Sequence, residues 1–131
     1  MCYTDGSKKD FKTGFGAVLY KDYEEISSAT GYLGINSTVF QAECNGIITG
    51  CKLVEECELE GDIHFKTDNQ ALVYSLSSHL VVSKTVEDTR HALNKLARKR
   101  KVTICWIRAH VGYVGNERAD DLELQFLTYL T

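Results

Sequence analysis

The period of the apolar residues changes once, decisively, near residue 38, and that change constrains the fold more than any other feature of the chain. Residues 2–4, 15–20 and 26–33 read as β-rich runs separated by Gly, Lys and Asp turns, which predicts three strands in an antiparallel meander. Over 39–56 the residues Cys44, Ile47, Ile48, Cys51 and Val54 fall instead at helical spacing, with Asn36, Ser37 and Thr38 available as caps. Residues 62–67 alternate after a glycine turn and predict a fourth strand, and 70–76 predicts a short helix. The 86–101 segment carries Ala92, Leu93, Leu96 and Ala97 at helical spacing and ends in four basic residues, which suits a helix C-terminus. Residues 102–107 predict a fifth strand, and after a glycine-containing loop 116–130 predicts a final amphipathic helix. The order βββαβααβα describes an α/β fold, a five-stranded mixed sheet flanked by helices.

With 131 residues, no proline, no repeat and no Gly/Ser-rich linker, residues 1–131 are expected to form a single domain. At 44% hydrophobic and 25% charged residues the composition is that of an ordinary globular domain. The apolar runs are a few residues long, far short of the roughly 20 that cross a bilayer, so no membrane partner is expected. The first residues show no basic stretch followed by an apolar one, the pattern of a secretory signal. Five cysteines without a C-x-x-C pair argue against a disulfide framework or zinc site, and reduced, intracellular thiols fit best. Cys44 and Cys51, seven apart, read as small core hydrophobes. A net charge of -3 does not advertise a nucleic-acid partner, but the charge is segregated. Residues 84–101 hold seven basic residues against Glu87 and Asp88, and 55–62 hold five acids. The basic stretch reads equally as a contact for a polyanion or as a solvated helix face.

Four acids fall at telling places. Asp5 closes the first strand, Glu43 lies in the first turns of a helix, Asp68 ends the fourth strand, and Asp120 lies in the last helix. Strand ends and helix starts gather at one rim of an open sheet, so carboxylates from distant segments can converge there. Taken singly, each is a turn residue or helix cap; the set carries the argument. Converging acids need a cation, and hard oxygen donors without Cys or His select Mg²⁺ or Mn²⁺ over zinc. Without metal, such a group resists full ionisation, because like charges raise one another's pKa.

Tyr3-Thr-Asp5-Gly6-Ser7, Gln41-Ala42-Glu43, Lys66-Thr67-Asp68-Asn69-Gln70 and the block from Trp106 through His110, Gly115, Asn116 and Glu117 to Asp120 resemble type I ribonuclease H. The landmarks occur in order over essentially the whole chain, separated by 38, 25 and 52 residues between successive acids. Phe40-Gln-Ala-Glu43 and Ala109-His110-Val-Gly112 are similar to domains attached to reverse transcriptases of non-LTR retrotransposons. The 42 residues from Asp68 to His110 look like the compact retroviral and retrotransposon forms, which lack the basic protrusion of bacterial enzymes. The chain begins four residues before Asp5 and stops soon after the Asp120 helix begins, as expected of a domain excised from a longer polyprotein.

The resemblance implies hydrolysis of the RNA strand of RNA/DNA hybrids by two Mg²⁺ ions, with Mn²⁺ able to substitute, held by Asp5, Glu43, Asp68 and Asp120. It makes His110 the mobile histidine of proton transfer or product release; His64, His79 and His91 match no family position. It places Gln70 at the hybrid's minor groove, Thr38 at the phosphate pocket for the DNA strand, and Gly6 and Ser7 at the RNA backbone, without base-sequence specificity. The partners it implies are the hybrid and a fused reverse transcriptase, with the isolated domain a monomer. The polar pair that many relatives carry before the helical glutamate is here Val39-Phe40, and Phe40 reads as a core anchor. Integrases, resolvases and exonucleases share such a sheet, but an exonuclease needs D-x-E where this chain has Asp5-Gly-Ser7, and integrases lack the His110 to Asp120 block. The alternative of a different kind is a weak or inactive structural or nucleic-acid-binding domain that depends on an attached reverse transcriptase.

Overall fold

A computed structural model describes residues 1–78, 83–107 and 125–129 of the chain. Strands β1 (Cys2–Lys9), β2 (Lys12–Lys21) and β3 (Glu24–Leu33) form the expected antiparallel meander. They are followed by α1 (Val39–Glu56), β4 (Ile63–Thr67), α2 (Gln70–Ser77), α3 (Lys84–Ala97), β5 (Val102–Trp106) and β6 (Gln125–Tyr129). The strands lie in the order β3-β2-β1-β4-β5-β6, with β4 parallel to both β1 and β5. All five expected strands are present in a mixed sheet with flanking helices.

Local chemistry explains the turns and caps. The β2–β3 connection is two residues, Asp22 and Tyr23, with φ of 52° and 68°, the pair of positive angles that a type I′ hairpin turn requires. Thr38 caps α1 reciprocally: its hydroxyl accepts from the Gln41 amide at 3.1 Å, and the Gln41 side chain accepts from the Thr38 amide at 2.8 Å. Asn69 and Ser83 cap α2 and α3 in one direction, accepting from the Leu72 and Val86 amides.

Two expectations are corrected. The first strand does not stop at residue 4, because every residue from Cys2 to Lys9 pairs with β2, from Cys2↔Leu19 to Lys9↔Lys12. Glycine and polar residues hid that extension from a reading of propensity. The helix expected over 116–130 gives way at its C-terminal end to β6, which pairs antiparallel with β5 from Val102↔Tyr129 to Trp106↔Gln125. Phe126, Leu127, Thr128 and Tyr129 suit a strand, and a short apolar run does not declare its period. The rest of that expected helix lies outside the described residues. The third helix starts earlier and ends earlier than 86–101, at Lys84–Ala97, because Ser83 caps it and Arg100 leaves the axis to donate to the Leu59 carbonyl at 2.5 Å.

The core is built from Leu19, Ile47, Phe65, Leu72, Leu93 and Ile104, with Phe40 packed at its edge as expected. Cys2, Cys44 and Cys51 are buried in it, and burial pushes their thiols up, Cys44 to about 11 and Cys2 to about 12, so they act as small hydrophobes. Helix α1 lies on β1 and β2 with unusually little between the backbones. Its inward stripe is Ala42, Gly46 and Gly50, four residues apart. At Gly6, a Cβ would stand 2.6 Å from the Glu43 nitrogen and 2.9 Å from the Ala42 Cβ. At Gly34, by contrast, a Cβ would meet nothing within 4 Å.

Gly6→Ala should therefore cost roughly 1–3 kcal/mol of stability through overpacking, while Gly34→Ala should stay within about 0.5 kcal/mol of the parent. Thermal or urea unfolding of the two variants side by side measures this, and a Gly6→Ala protein as stable as the parent would contradict the close packing.

Candidate active site

The sheet parts at one point. Strands β1 and β4 share only the register pairs Cys2↔Phe65 and Tyr3↔Lys66, so beyond Tyr3 the two strands diverge. Asp5 stands on β1 just past that divergence, Asp68 follows the end of β4, and Glu43 comes from the second turn of α1 across the gap. One oxygen of each carboxylate lies within 4.8 Å of the others. These are three of the four acids that the sequence singled out. The fourth, Asp120, and the candidate His110 lie outside the described residues.

Each member is held by something specific. The absence of a side chain at Gly6 lets the Glu43 backbone settle against β1. Glu43 is 2% exposed, and it takes hydrogen bonds from the Gly6 amide and the Thr67 hydroxyl. Thr67, fully buried, also accepts from the Asn69 amide at 3.1 Å, which fixes the turn carrying Asp68. The Trp106 indole donates to the Asp68 carbonyl at 3.2 Å, and the Ile107 amide donates to the Thr67 carbonyl at 2.9 Å. The turn after β4 is thereby tied to the end of β5. Thr67 was not foreseen from the sequence; a threonine at an inward strand position was its only signal.

The electrostatics follow from crowding. Burial, then the charges of Asp5 and Asp68, push the Glu43 carboxyl up to about 7. Burial and the charge of Asp68 also raise Asp5. One Glu43 oxygen, Oε2, is buried without a hydrogen-bond partner. An orphaned buried carboxylate oxygen facing two further carboxylates, with no Cys or His in the set, is a donor arrangement that fits a hard divalent cation. Asp5, Glu43 and Asp68 are the described residues able to hold one.

The remaining candidates are placed as follows. Ser7 is exposed on β1, two residues beyond Asp5. Gly6 spends its missing side chain on α1. Thr38 is exposed at the start of α1 with its hydroxyl oxygen engaged as a cap, and Gln70 is exposed as the first residue of α2. Much of the basic stretch is turned to structural use. Arg90 donates to the carbonyls of Ser75, Leu76 and Ser78, Lys84 pairs with Asp88, and Lys95 pairs with Glu55 at 3.7 Å. With Arg100 on Leu59, four of the seven basic residues of this stretch are engaged within the protein.

Residues 1–126 match the sequence profile of the family described as RNase H. The chain belongs to the RNase H family. A ribonuclease H of Campylobacter jejuni is 30% identical over 132 residues, covering 92% of this chain and 85% of the relative. Among solved structures, the fold is similar to that of a ribonuclease H1, LC11, in complex with an RNA/DNA hybrid, with a TM-score of 0.70 at 15% identity over 94% and 91% of the two chains. It is also similar to part of a foamy viral protease-reverse transcriptase in complex with RNA/DNA hybrid, with a TM-score of 0.56 and 21% identity over 92% of this chain and 19% of that one. RNase H membership agrees with the motifs that carried the resemblance, and the carboxylate cluster is built from three of those motifs.

The raised Glu43 carboxyl gives a pH dependence of known sign. Metal-free folded protein holds this proton more tightly than the unfolded chain, whose glutamate titrates near 4.5. Stability from this site is therefore full below pH ~4.5 and lost as pH rises through about 7, on the order of 2–3 kcal/mol. Melting curves in EDTA between pH 4 and 8 should show this fall relative to Glu43→Gln, and Mg²⁺ should restore stability at pH 8 far more than at pH 5. Parallel pH profiles for the two proteins would contradict it.

Proposed function

We propose that this RNase H family member hydrolyses the RNA strand of RNA/DNA hybrids endonucleolytically, leaving 5′-phosphate and 3′-hydroxyl ends. The observation that carries the reading is the convergence of Asp5, Glu43 and Asp68 around the unpartnered Glu43 oxygen, in a chain of this family. The residues held responsible for two Mg²⁺ ions, with Mn²⁺ as substitute, are Asp5, Glu43, Asp68 and Asp120. When bound, the paired ions supply an activated water and stabilise the leaving 3′ oxygen.

The chain's own residues divide the remaining work. Buried Glu43, steadied by the Gly6 amide and Thr67, sets the floor of the site, while exposed Asp5 and Asp68 face the substrate. Fixing the Asp68 turn through Trp106 keeps that carboxylate placed before substrate arrives, so little reorganisation is needed during reaction. His110 moves a proton or assists product release. Gln70 touches the minor groove, Thr38 offers a donor to a DNA-strand phosphate, and Gly6 and Ser7 lie along the RNA strand. The reading extends to an intracellular retroelement setting, as a monomeric domain of a non-LTR retrotransposon reverse transcriptase. It is supported there by the Phe40-Gln-Ala-Glu43 and Ala109-His110-Val-Gly112 phrasing and the short Asp68 to His110 interval.

The deciding assay offers labelled RNA/DNA hybrid, single-stranded RNA, duplex RNA and duplex DNA in Mg²⁺ or Mn²⁺. Cleavage of the RNA strand of the hybrid alone, lost in a folded Asp68→Asn protein, is the expected result. Retained activity in that variant would remove the carboxylates from the mechanism, and no cleavage by folded parent protein would favour a domain dependent on an attached polymerase. His110→Ala should slow steady-state turnover more than a single turnover; equal losses would count against a role in product release.

A further inference from the structure

Among the described residues, nothing covers the face of the meander away from α1, and its residues are arranged in rows. Along β1, Asp5, Ser7 and Lys9 alternate with Thr4, Gly6 and Lys8, the set turned towards α1 and the loop before it, where Lys8 donates to the Ser37 carbonyl. Register carries the open-face rows across the sheet: Asp5–Gly16–Thr30, then Ser7–Gly14–Tyr32, then Lys9–Lys12. Two glycines on the middle strand therefore floor a trough between β1 and β3. The trough widens at the hairpin tip into a groove of about 490 Å³ lined by Ser7, Lys9, Phe11, Lys12, Gly14 and Tyr32.

Three features of this groove point to one kind of occupant. Phe11 and Tyr32 are 79% and 80% exposed, and the Tyr32 ring lies in contact distance over Gly14, 3.5 Å from where a Cβ would be. Lys9 and Lys12 face each other directly across the two strands, an arrangement that repels unless an anion lies between them. Asp10 is the one acid in the lining; it occupies the turn, with φ of 57°, and leaves Lys9 and Lys12 in excess. Flat aromatic faces beside paired cations match an unpaired nucleic-acid strand, whose bases stack while its phosphates meet the lysines. The groove is also continuous with the acidic cluster: Asp5 to Lys9 is four residues of one strand, roughly 13 Å, a span of a few nucleotides.

We infer that the Lys9, Phe11, Lys12 and Tyr32 groove binds a single-stranded RNA extension of the strand held at the Asp5, Glu43 and Asp68 cluster. This rests on the hybrid-cleaving reading for its location, but binding can be tested without cleavage. The groove would let the domain prefer a hybrid whose RNA runs on unpaired beyond the duplex, as at the edge of a partly copied template.

The test uses fluorescein-labelled 12-nucleotide RNA in anisotropy titrations, together with cleavage of hybrids that are blunt or carry a single-stranded RNA extension at the 5′ or the 3′ end. The parent protein should bind the free RNA and show a KM for one of the two extended hybrids several-fold below that for the blunt one. Phe11→Ala with Tyr32→Ala should weaken RNA binding by about tenfold and bring that ratio to one. Lys9→Gln with Lys12→Gln should weaken binding and flatten its salt dependence, whereas Tyr32→Phe should keep the preference. Circular dichroism confirms that each variant is folded. No extension preference in the parent, or one that survives the aromatic double substitution, overturns the inference. So does a concentration-dependent dimer abolished by that substitution while RNA binding stays unchanged. Aromatic-dependent RNA binding without any cleavage would uphold the groove and fail the hydrolytic reading instead.

Discussion

The approach of α1 to β1 is the contact on which the site depends. Packed layers of secondary structure normally stand about 10 Å apart, as stacked sheets do, because side chains fill the space between them. Here Gly6 on the strand and Ala42, Gly46 and Gly50 on the helix remove most of that filling. The consequence reaches beyond packing, because Glu43 is the neighbour of Ala42 and arrives at the sheet with its own backbone nearly touching β1. A bulkier interface would leave its carboxylate standing above the rim, away from Asp5 and Asp68.

That placement has an electrostatic cost, which the surroundings offset only in part. The Gly6 amide and the Thr67 hydroxyl stabilise ionised Glu43, yet burial and two neighbouring acids outweigh them. A fold that holds three carboxylates within 4.8 Å is poised for positive charge, since a cation supplies what hydrogen bonds leave undone. Among the described residues, no basic side chain lowers the Glu43 carboxyl. Arg90 and Arg100 tether α2 and the loop after α1 by donating to backbone carbonyls.

Much of this was legible in the sequence, for identifiable reasons. The change of period near residue 38 revealed the meander and α1, and acids at element ends revealed Glu43 and Asp68, since both signals are local; Asp5, read as closing the first strand, stands mid-strand, where β1 parts from β4. The length of β1 was hidden because Gly6, Ser7, Lys8 and Lys9 have poor strand propensity and are held by partners on β2, contacts that no local window contains. Strand β6 was hidden because its short apolar run does not declare a period and its partners on β5 lie 19 to 27 residues away. Thr67 and Gly6 act through residues on other elements, so their roles became visible only once the chain was folded. The basic stretch left two readings open, because composition records a charge and is silent about which carbonyl it reaches.

The two shared pairs between β1 and β4 divide the sheet into two blocks, the meander on one side and β4, β5 and β6 on the other. Six strands thus behave as two ribbons joined by a short seam, with α1 as the splint across it. Asp5 belongs to one ribbon and Asp68 to the other, directly beyond the point where the seam ends. Anything that draws those two carboxylates together works as a clasp at the open end of a zip, and anything that drives them apart pulls on the short seam between the ribbons. On this architecture, whatever bridges Asp5 and Asp68 also bridges the two ribbons.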